Sequence, residues 1–436
     1  MVLPRCAVLL PLVLLVNPYV PTTTAKRESR NNDNATSLRQ EEQQLPPLPS
    51  IYVSCPNTPE GHYACGYSIG VRFSSNIAES IRSSSLATSI YAQLQQHREE
   101  SNISKLEQTF LQMKQTANDT YPLYVKELEG TADGSGQPLD QILVLNFLQE
   151  ISLVYRNDTS WEWERQQQRR RSGALPDRCT DVLLSNMFAH NEDGFGVDVR
   201  TMYRVHYRTY DPTSGETVEQ FNAMTYPGRL SGWGPGYNRH GIVWSSNMLY
   251  PSLQSSSPYL GGLATIFVSR AMTKARTIQE AVGICTPSNL IAGQNQNFGD
   301  VKTGEVVTVE TAPGGKFDML RISDNQIHFH ANQYLRMTDI DQLQDHLPSS
   351  IHRHARFEEM RANLAENADG LLTFLGDQAD PKYPVYRHDD ANGEYTLFTI
   401  AFDISERVMR IFRGNPKEGG LSLLSEERID DGTNSL

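Results

Sequence analysis

Basic residues are too few in this sequence for a typical nucleic-acid-binding protein. The 436 residues include 39 Lys and Arg against 51 Asp and Glu, which gives a formal net charge of -12 at pH 7. Recognition of a phosphate backbone needs clustered Lys and Arg. The charge balance therefore argues against a nucleic-acid partner and accommodates a cationic partner or substrate more easily.

Apolar runs long enough to cross a membrane are also missing. The first apolar stretch, residues 7–16, is far too short to span a bilayer. With Arg5 before it and the small residues Thr23 and Ala25 after it, the stretch predicts a secretory signal peptide over residues 1–25, the alternative being a buried strand or helix. We expect a protein of the secretory pathway, extracellular or lysosomal, without a membrane span.

Motifs for metal or phosphate binding are not recognisable. The histidines lack the spacing of zinc ligands, and His328 and His330 alternate as residues of a strand do. No glycine-rich phosphate loop stands in a convincing context. The sequence therefore predicts no metal site and no cofactor.

Cysteine is scarce, and each of the five has a separate interpretation. Removal of the signal peptide would remove Cys6. Cys55 and Cys65 flank a loop with Pro and Gly and could form a local disulfide, which would leave Cys179 and Cys285 unpaired. The alternative is that the four remaining cysteines form two disulfides. A free thiol in a secreted protein asks for a reason, and catalysis is one.

Four Asn-x-Ser/Thr sequons support the secretory route. They stand at Asn34, Asn102, Asn118 and Asn157, all before Cys179. Their use would give this part of the chain a solvent-facing surface that carries glycans.

The polarity and the apolar spacing of the sequence change along the chain. Residues 26–50 are polar and predict a flexible leader. Residues 51–178 show helical apolar spacing and end in a polar loop with a basic run, so they predict a helical part that ends in an exposed loop. Residues 179–436 predict short strands, with helical spacing returning in two segments. This order suits an α+β fold of layered helices and stacked antiparallel sheets, and another α+β fold is the alternative.

Cys179 stands where the exposed loop meets the first predicted strand. If the peptide bond before it breaks, one residue carries both a thiol and an α-amine. An α-amine has a reference pKa of about 7.7 to 8.0, so it can accept the thiol proton near neutral pH. The thiolate would attack an amide carbonyl, the amine would pass the proton to the leaving amine, and water would cleave the thioester. A buried structural cysteine is the alternative.

The sequence from this cysteine onward, CTDVLLSNMFAHNEDG, resembles the isopenicillin N acyltransferase and insect beta-alanyl-dopamine hydrolase family of N-terminal-nucleophile (Ntn) hydrolases. In that family the nucleophilic cysteine follows the self-cleaved bond and opens the second subunit. A GxNxD-like element corresponds to residues 189–193 and matches Asp193 to the family's acidic residue, which would orient the chain terminus. Without the resemblance, Asp193 would read as a turn carboxylate.

Further matches follow in order. The segment NQNFGD, residues 295–300, is similar to the element that supplies the oxyanion-hole asparagine, a role the spacing gives to Asn295 with Asn297 as rival. Asn247 ends an element that begins YPG, and His330 and Asn332 lie in HANQYL, which resembles the family's HTNHYL. These three are candidates for the substrate pocket, although a structural role for His330 is the alternative.

The resemblance implies a four-layer αββα sandwich over residues 51–436, with two stacked antiparallel sheets between helical layers. It also implies cleavage between Arg178 and Cys179, so that α and β chains arise from one precursor, and it leaves a homo-oligomer open. Many relatives have glycine before the nucleophile, whereas this chain has Arg178. Glycine eases the strained backbone that an N-to-S acyl shift needs, so this departure bears on self-cleavage.

The combined interpretation is a secreted, self-cleaving cysteine amidohydrolase. Its expected partner is a small N-acyl amine, such as a beta-alanyl conjugate of a biogenic amine, hydrolysed through a thioester acyl-enzyme. An acyltransferase that moves an acyl group from a thioester donor to an amine is the first alternative. A catalytically silent extracellular binding protein on the same scaffold is the second.

Overall fold

Strand β1 begins at Ser50, close to the start of the part of the chain that the structure describes. The structure is a computed structural model, and it describes residues 48–97, 104–157, 179–253, 257–323, 326–344, 347–388 and 394–429. The predicted signal peptide, the leader up to residue 47, Asn34, Asn102 and Arg178 lie outside the described residues.

Helices follow β1 up to Asn157, as the apolar spacing predicts, and recur later. Their bounds are α1 Pro59–Arg72, α2 Ser74–Ser83, α3 Ser85–His97, α4 Lys105–Thr120, α5 Pro122–Ser135, α6 Leu139–Asn146, α7 Leu148–Asn157, α8 Asp198–Thr201, α9 Thr265–Met272, α10 Ile278–Cys285, α11 Leu347–Met360 and α12 Ala368–Leu375. Short 3-10 helices span Pro313–Gly315, Arg361–Asn363 and Pro416–Leu421. The start of α1 shows how local sequence sets a helix end. The Thr58 side chain accepts a hydrogen bond from the Gly61 amide and caps the helix, and Pro59 is the first helical residue.

Strands dominate after Cys179. Their bounds are β1 Ser50–Pro56, β2 Thr180–Leu184, β3 Met187–Phe195, β4 Tyr203–Tyr210, β5 Thr217–Thr225, β6 Gly236–Asn238, β7 Ile242–Leu249, β8 Gly293–Asp300, β9 Glu305–Ala312, β10 Lys316–Arg321, β11 His328–His330, β12 Glu394–Asp403, β13 Val408–Phe412 and β14 Leu423–Arg428. Within the described residues they form one sheet in the order β1-β4-β5-β6-β7-β8-β9-β10 and another in the order β11-β2-β3-β12-β13-β14. The pairings are antiparallel except that β1 runs parallel to β4.

The two sheets stack because successive side chains of a strand point to opposite faces. In β2, Leu183 packs with residues of both sheets, whereas Val182 packs with Phe357 of α11 and Phe374 of α12. In β7, Val243 belongs to the apolar layer between the sheets.

The opposite face of the eight-stranded sheet carries the larger helical layer. Trp244, the neighbour of Val243, packs with the helices that precede Cys179. The apolar clusters therefore separate four layers in the order helices, sheet, sheet, helices. This confirms the predicted α+β fold with its αββα sandwich. Among the described residues, no helix is both long and apolar enough to cross a membrane.

A disulfide ties β1 to α1. Cys55 and Cys65 are bonded, as the sequence predicts, while Cys179 and Cys285 are free and buried. Of the sequons, Asn118 is exposed on α4, and Asn157 is the last residue of α7. Glycosylation at these sites stays a prediction.

Helices α1 and α5 cross so closely that their backbones touch. A Cβ atom on Gly66 would lie 1.9 Å from the carbonyl oxygen of Glu127, and one on Gly130 would lie 2.0 Å from that of Tyr63. No side chain fits between these main chains. The crossing places Glu127 next to Arg270, with 3.3 Å between carboxylate oxygen and guanidinium nitrogen, so a buried ion pair joins α5 to α9.

We expect Gly66→Ala to destabilise the protein, because the added methyl group meets a carbonyl oxygen that only a backbone shift can move. Overpacking of this kind lowers the free energy of unfolding by about 1–3 kcal/mol. The matched control is Gly283→Ala in α10, where nothing lies within 4 Å of the added Cβ. There we expect a gain of about 0.4–1 kcal/mol from the smaller unfolded-state entropy. Urea denaturation compares the two, and equal effects would contradict the close crossing.

Candidate active site

Cys179 lies directly before β2 and has a left-handed backbone. Its φ is +97°, a conformation that costs a non-glycine residue about 1–3 kcal/mol. The conformation is held from both sides of the residue. The backbone nitrogen donates a hydrogen bond to Asp193 Oδ2 at 3.3 Å, and the carbonyl oxygen accepts one from Arg353 of α11 at 2.5 Å.

Asp193 on β3 is anchored where it meets Cys179. Its Oδ1 accepts a hydrogen bond from Thr396 at 2.6 Å, and its Oδ2 lies 3.3 Å from Nε of Arg387. Burial raises the pKa of Asp193, and the charges of Arg387 and Arg353 oppose this shift. The structure thus brings the predicted nucleophile and the predicted orienting acid together. The bond goes to the backbone nitrogen, which is the atom that cleavage would turn into an α-amine.

The thiol itself faces a second carboxylate. Cys179 Sγ donates to Glu192 Oε1 at 3.7 Å, and the hydroxyl of Tyr226 donates to the same oxygen at 2.6 Å. Nε2 of His190 lies 3.2 Å from Glu192 Oε2, and Nδ1 of His190 lies 2.8 Å from Asp181 Oδ1. An imidazole between two carboxylates therefore stands beside the thiol.

These neighbours set the protonation of the site. Burial, reinforced by the charge of Glu192, raises the pKa of the Cys179 thiol to about 12, although His190 acts in the opposite direction. Burial alone would lower the pKa of His190, but the charge and hydrogen bond of Asp181, together with the hydrogen bonds of Cys179 and Glu192, raise that pKa well above its usual value. The raised pKa favours the protonated ring, and a protonated imidazole has no free lone pair with which to accept the thiol proton.

A chain of hydrogen bonds leads from this site to the predicted oxyanion-hole asparagines. Ser245 donates to Asp181 Oδ1 at 2.7 Å, Asn297 donates to Ser245 Oγ at 3.1 Å, and Asn295 donates to Asn297 Oδ1 at 3.0 Å. Neither asparagine is among the residues that line the cavity next to Cys179. Asn297 stands nearer to the thiol along the chain of bonds, and the oxyanion role of either residue stays a prediction.

The three predicted pocket residues do not line this cavity either. His330 has both ring nitrogens bonded, to Glu310 Oε1 at 2.9 Å and to the Ala331 carbonyl oxygen at 2.8 Å. Asn332 donates to the Met248 carbonyl, and Asn247 donates to the Ala331 carbonyl. In this structure the three side chains hold neighbouring main chain in place.

The cavity beside Cys179 has a volume of about 320 Å³, within the size range of small-molecule sites. Glu192 and Asp193 line it next to Cys179. Its other walls are mostly apolar and aromatic, and they include Leu145, Leu148, Phe195, Tyr226, Trp233 and Met248. The guanidinium of Arg229 lies 4.8 Å from the ring centroid of Trp233 and brings a positive charge to the wall.

Sequence reasoning missed His190, Glu192 and Arg353 as site residues. His190 and Glu192 stand at alternate positions of β3, so strand periodicity placed them on one face, and the AHNED element already contained them. Nothing in the sequence marked Arg353, which comes from a helix 174 positions further on. Cys179, His190 and Glu192 also hold one potential metal-ligand atom each within 4.8 Å of one another.

Comparison with known families finds a match over residues 182–418, which is 237 of the 436 residues. The matching model describes the acyl-coenzyme A:6-aminopenicillanic acid acyl-transferase family. Among curated proteins, the chain is 25% identical over 378 residues to the beta-alanyl-dopamine/carcinine hydrolase of Drosophila melanogaster. That alignment covers 82% of this chain and 92% of the relative.

Two solved structures show a weaker likeness. The Caenorhabditis elegans ortholog of N-acylethanolamine-hydrolyzing acid amidase is 11% identical, with 52% of this chain and 93% of that chain covered and a TM-score of 0.34. Penicillin V acylase from Agrobacterium tumefaciens is 13% identical, with 54% and 83% covered and a TM-score of 0.34.

We expect Glu310→Gln to lower stability near neutral pH and to have less effect in acid. Burial alone would raise the pKa of Glu310, but the hydrogen bond and charge of His330 lower it to about 2. A depressed carboxylate pKa stabilises the fold above the unfolded value of about 4.3, and this stabilisation disappears as pH falls through the folded pKa.

The deficit in the free energy of unfolding should be roughly 2–3 kcal/mol near pH 7 and about half of that near pH 3. Denaturant titrations of both proteins across this range measure it. A deficit that does not change with pH would show that the carboxylate charge contributes nothing.

Proposed function

Since the chain belongs to the acyl-coenzyme A:6-aminopenicillanic acid acyl-transferase family, we propose that it is a cysteine amidohydrolase that cleaves itself before Cys179 and then hydrolyses small N-acyl amines. The matched residues 182–418 confirm the family resemblance drawn from the motifs. The family and the Drosophila relative support an enzyme of the hydrolase and acyltransferase class.

One observation carries the proposal: the backbone nitrogen of Cys179 is bonded to Asp193 in a buried site. After cleavage the same nitrogen becomes the α-amine of Cys179. Its hydrogen bond to Asp193 then holds the amine close to the thiol of the same residue. The amine has a reference pKa of about 7.7 to 8.0 and can take the thiol proton, a task that the protonated His190 cannot perform.

The catalytic cycle follows from this arrangement. Sγ attacks the amide carbon of the substrate as the α-amine removes its proton, which gives a tetrahedral intermediate. The amine returns the proton to the leaving nitrogen, the C–N bond breaks, and a thioester on Cys179 remains. Water, deprotonated by the same amine, then attacks the thioester and releases the acid and the thiol.

Self-cleavage needs a different base, because the α-amine does not exist before it. Glu192 accepts the hydrogen bond of the thiol at 3.7 Å and takes its proton while Sγ attacks the carbonyl carbon of Arg178. The proton then passes to the nitrogen of Cys179 as the C–N bond breaks, and water hydrolyses the resulting thioester, which releases the carboxylate of Arg178 and leaves Cys179 with a free thiol and an α-amine. The strained φ of Cys179 favours the N-to-S acyl shift, since rearrangement releases the strain. Strain at Cys179 thus offers a substitute for the glycine that many relatives have at the preceding position.

The cavity supports a small substrate with an aromatic part. Tyr226, Trp233 and Phe195 offer ring faces, and a cavity of about 320 Å³ limits the size. The relative is named for beta-alanyl-dopamine and carcinine, amides of amines with a ring. A substrate of this class, a beta-alanyl conjugate of an aromatic amine, fits the cavity in size and character. The predicted signal peptide and sequons support action in the secretory pathway.

An acyltransferase is the second candidate, and the family's description favours it. The same thioester would pass its acyl group to an amine instead of water. The predicted secretory route opposes this reading, because acyl thioesters of coenzyme A are scarce outside the cytosol and organelles.

Cleavage is tested on the purified chain by denaturing gel and N-terminal sequencing. We expect two fragments, one beginning at Cys179, and a single uncleaved chain for Cys179→Ala, which lacks the attacking thiol. Cys285→Ser is the matched control, since Cys285 is also a free buried thiol but lies in α10. It should cleave like the unmodified protein. An intact chain whose activity survives Cys179→Ala would overturn the proposal.

The reaction type is tested by release of free amine from an N-beta-alanyl aromatic amine. We expect release without any acyl thioester and a loss of at least about 1,000-fold in kcat/KM for Cys179→Ala, because the nucleophile is removed. Release that depends on added acyl-coenzyme A would favour the transferase.

A further inference from the structure

The thiol of Cys179 belongs to a cluster of three different metal-ligand types. Its Sγ lies 3.7 Å from Glu192 Oε1, and His190 Nε2 lies 3.2 Å from Glu192 Oε2. All three groups have a ligand atom within 4.8 Å of the others. Around tetrahedral zinc, bonds of about 2.3 Å to sulfur and about 2.0–2.2 Å to nitrogen or oxygen separate neighbouring ligand atoms by roughly 3.4–3.6 Å. The separations of Sγ from Oε1 and of Nε2 from Oε2 lie on either side of this value, so a small adjustment of the Glu192 carboxylate brings one oxygen to both.

The residues behind the cluster match the surroundings of a metal-bound histidine. Such a histidine usually bonds a carboxylate through its second ring nitrogen, which orients the ring and presents the other nitrogen to the metal. Here Nδ1 of His190 is bonded to Asp181 at 2.8 Å, and Ser245 in turn donates to the same Asp181 oxygen at 2.7 Å. This leaves Nε2 directed at Glu192, on the side of the thiol.

The open side of the cluster faces the cavity. Cys179 and Glu192 both line it, so an ion has a route to the thiol and space for a water molecule or an anion as a fourth ligand. Three protein ligands with one open position are the arrangement of accessible zinc sites. A set of one thiolate, one imidazole and one carboxylate favours zinc over magnesium or calcium, which prefer oxygen alone.

We propose that Cys179, His190 and Glu192 form a binding site for Zn²⁺, and that the bound ion switches the nucleophile off. Binding displaces the proton of the thiol and the proton of His190 Nε2, and it forms bonds from zinc to Sγ, to Nε2 and to a carboxylate oxygen of Glu192. The sulfur lone pair is then held by the metal and cannot attack a carbonyl. The switching effect rests on the proposed function, whereas the binding does not.

The direct test uses the purified full chain with CoCl2 as a spectroscopic probe and ZnCl2 as competitor. We expect one cobalt ion per chain, with a sulfur-to-cobalt charge-transfer band that ZnCl2 abolishes. The band reports a thiolate ligand and is measured on the unmodified protein, so the result does not depend on whether a variant folds. Cobalt bound without the band, or no binding at one equivalent, would overturn the site.

Variants then assign the ligands by calorimetric titration with ZnCl2, after circular dichroism has verified their fold. Cys179→Ser and His190→Gln should each weaken binding at least about tenfold. Cys285→Ser keeps all three ligands and should bind like the unmodified chain. His330→Gln removes another buried histidine that bonds a carboxylate, and it should also leave binding unchanged. Unchanged affinity in Cys179→Ser would refute the assignment.

The effect on activity is measured separately. Zinc at one equivalent should abolish amine release, and a chelator should restore it. Tight binding combined with undiminished turnover would refute the switch while leaving the hydrolase in place. Binding by a chain that has no amidase activity at all would count against the proposed function and leave the zinc site standing.

Discussion

The buried ion pair between His190 and Asp181 is the interaction on which the site depends. Both residues have no solvent exposure, so either charge alone would be costly. The pair lies within the six-stranded sheet, and its Asp181 also accepts a hydrogen bond from Ser245 of the eight-stranded sheet. The charge and hydrogen bond of Asp181 raise the pKa of His190, which favours the protonated ring beside the thiol. The chemistry of the site and the stacking of the sheets thus share one contact.

Much of the scaffold could be predicted from the sequence, because period and spacing are local properties. Helical spacing before Cys179 and short apolar runs after it indicated an α+β fold, and the family resemblance selected the layered sandwich among such folds. The disulfide between Cys55 and Cys65 followed from their separation by a single loop. The pairing of Cys179 with Asp193 came from the family resemblance, and the antiparallel strands β2 and β3 bring both residues to the same end of the sheet.

The rest of the site depends on which residues of other elements contact each strand. Local sequence patterns do not contain this information. Alternation put Asn295 and Asn297 on one face of β8, but only the structure shows that Ser245 of β7 and Thr308 of β9 lie beside them on that face, so that their amides bond these neighbours and each other and do not line the cavity. His330 lies in the HANQYL element that suggested a place in the substrate pocket, but its ring is bonded to Glu310. Arg353 arrives from a separate helix, and no local pattern could connect it with Cys179.

The crossing of α1 and α5 limits how this protein can change over evolutionary time. Gly66 and Gly70 on one helix and Gly130 and Gly134 on the other each face a main-chain carbonyl oxygen of the opposite helix. A clash between two side chains can be relieved by shrinking the second one, but every residue has the same carbonyl. No second mutation on the facing helix can therefore rescue a larger residue at these positions. These four positions therefore admit only glycine as long as the two helices keep this crossing, although they lie outside the cluster around Cys179.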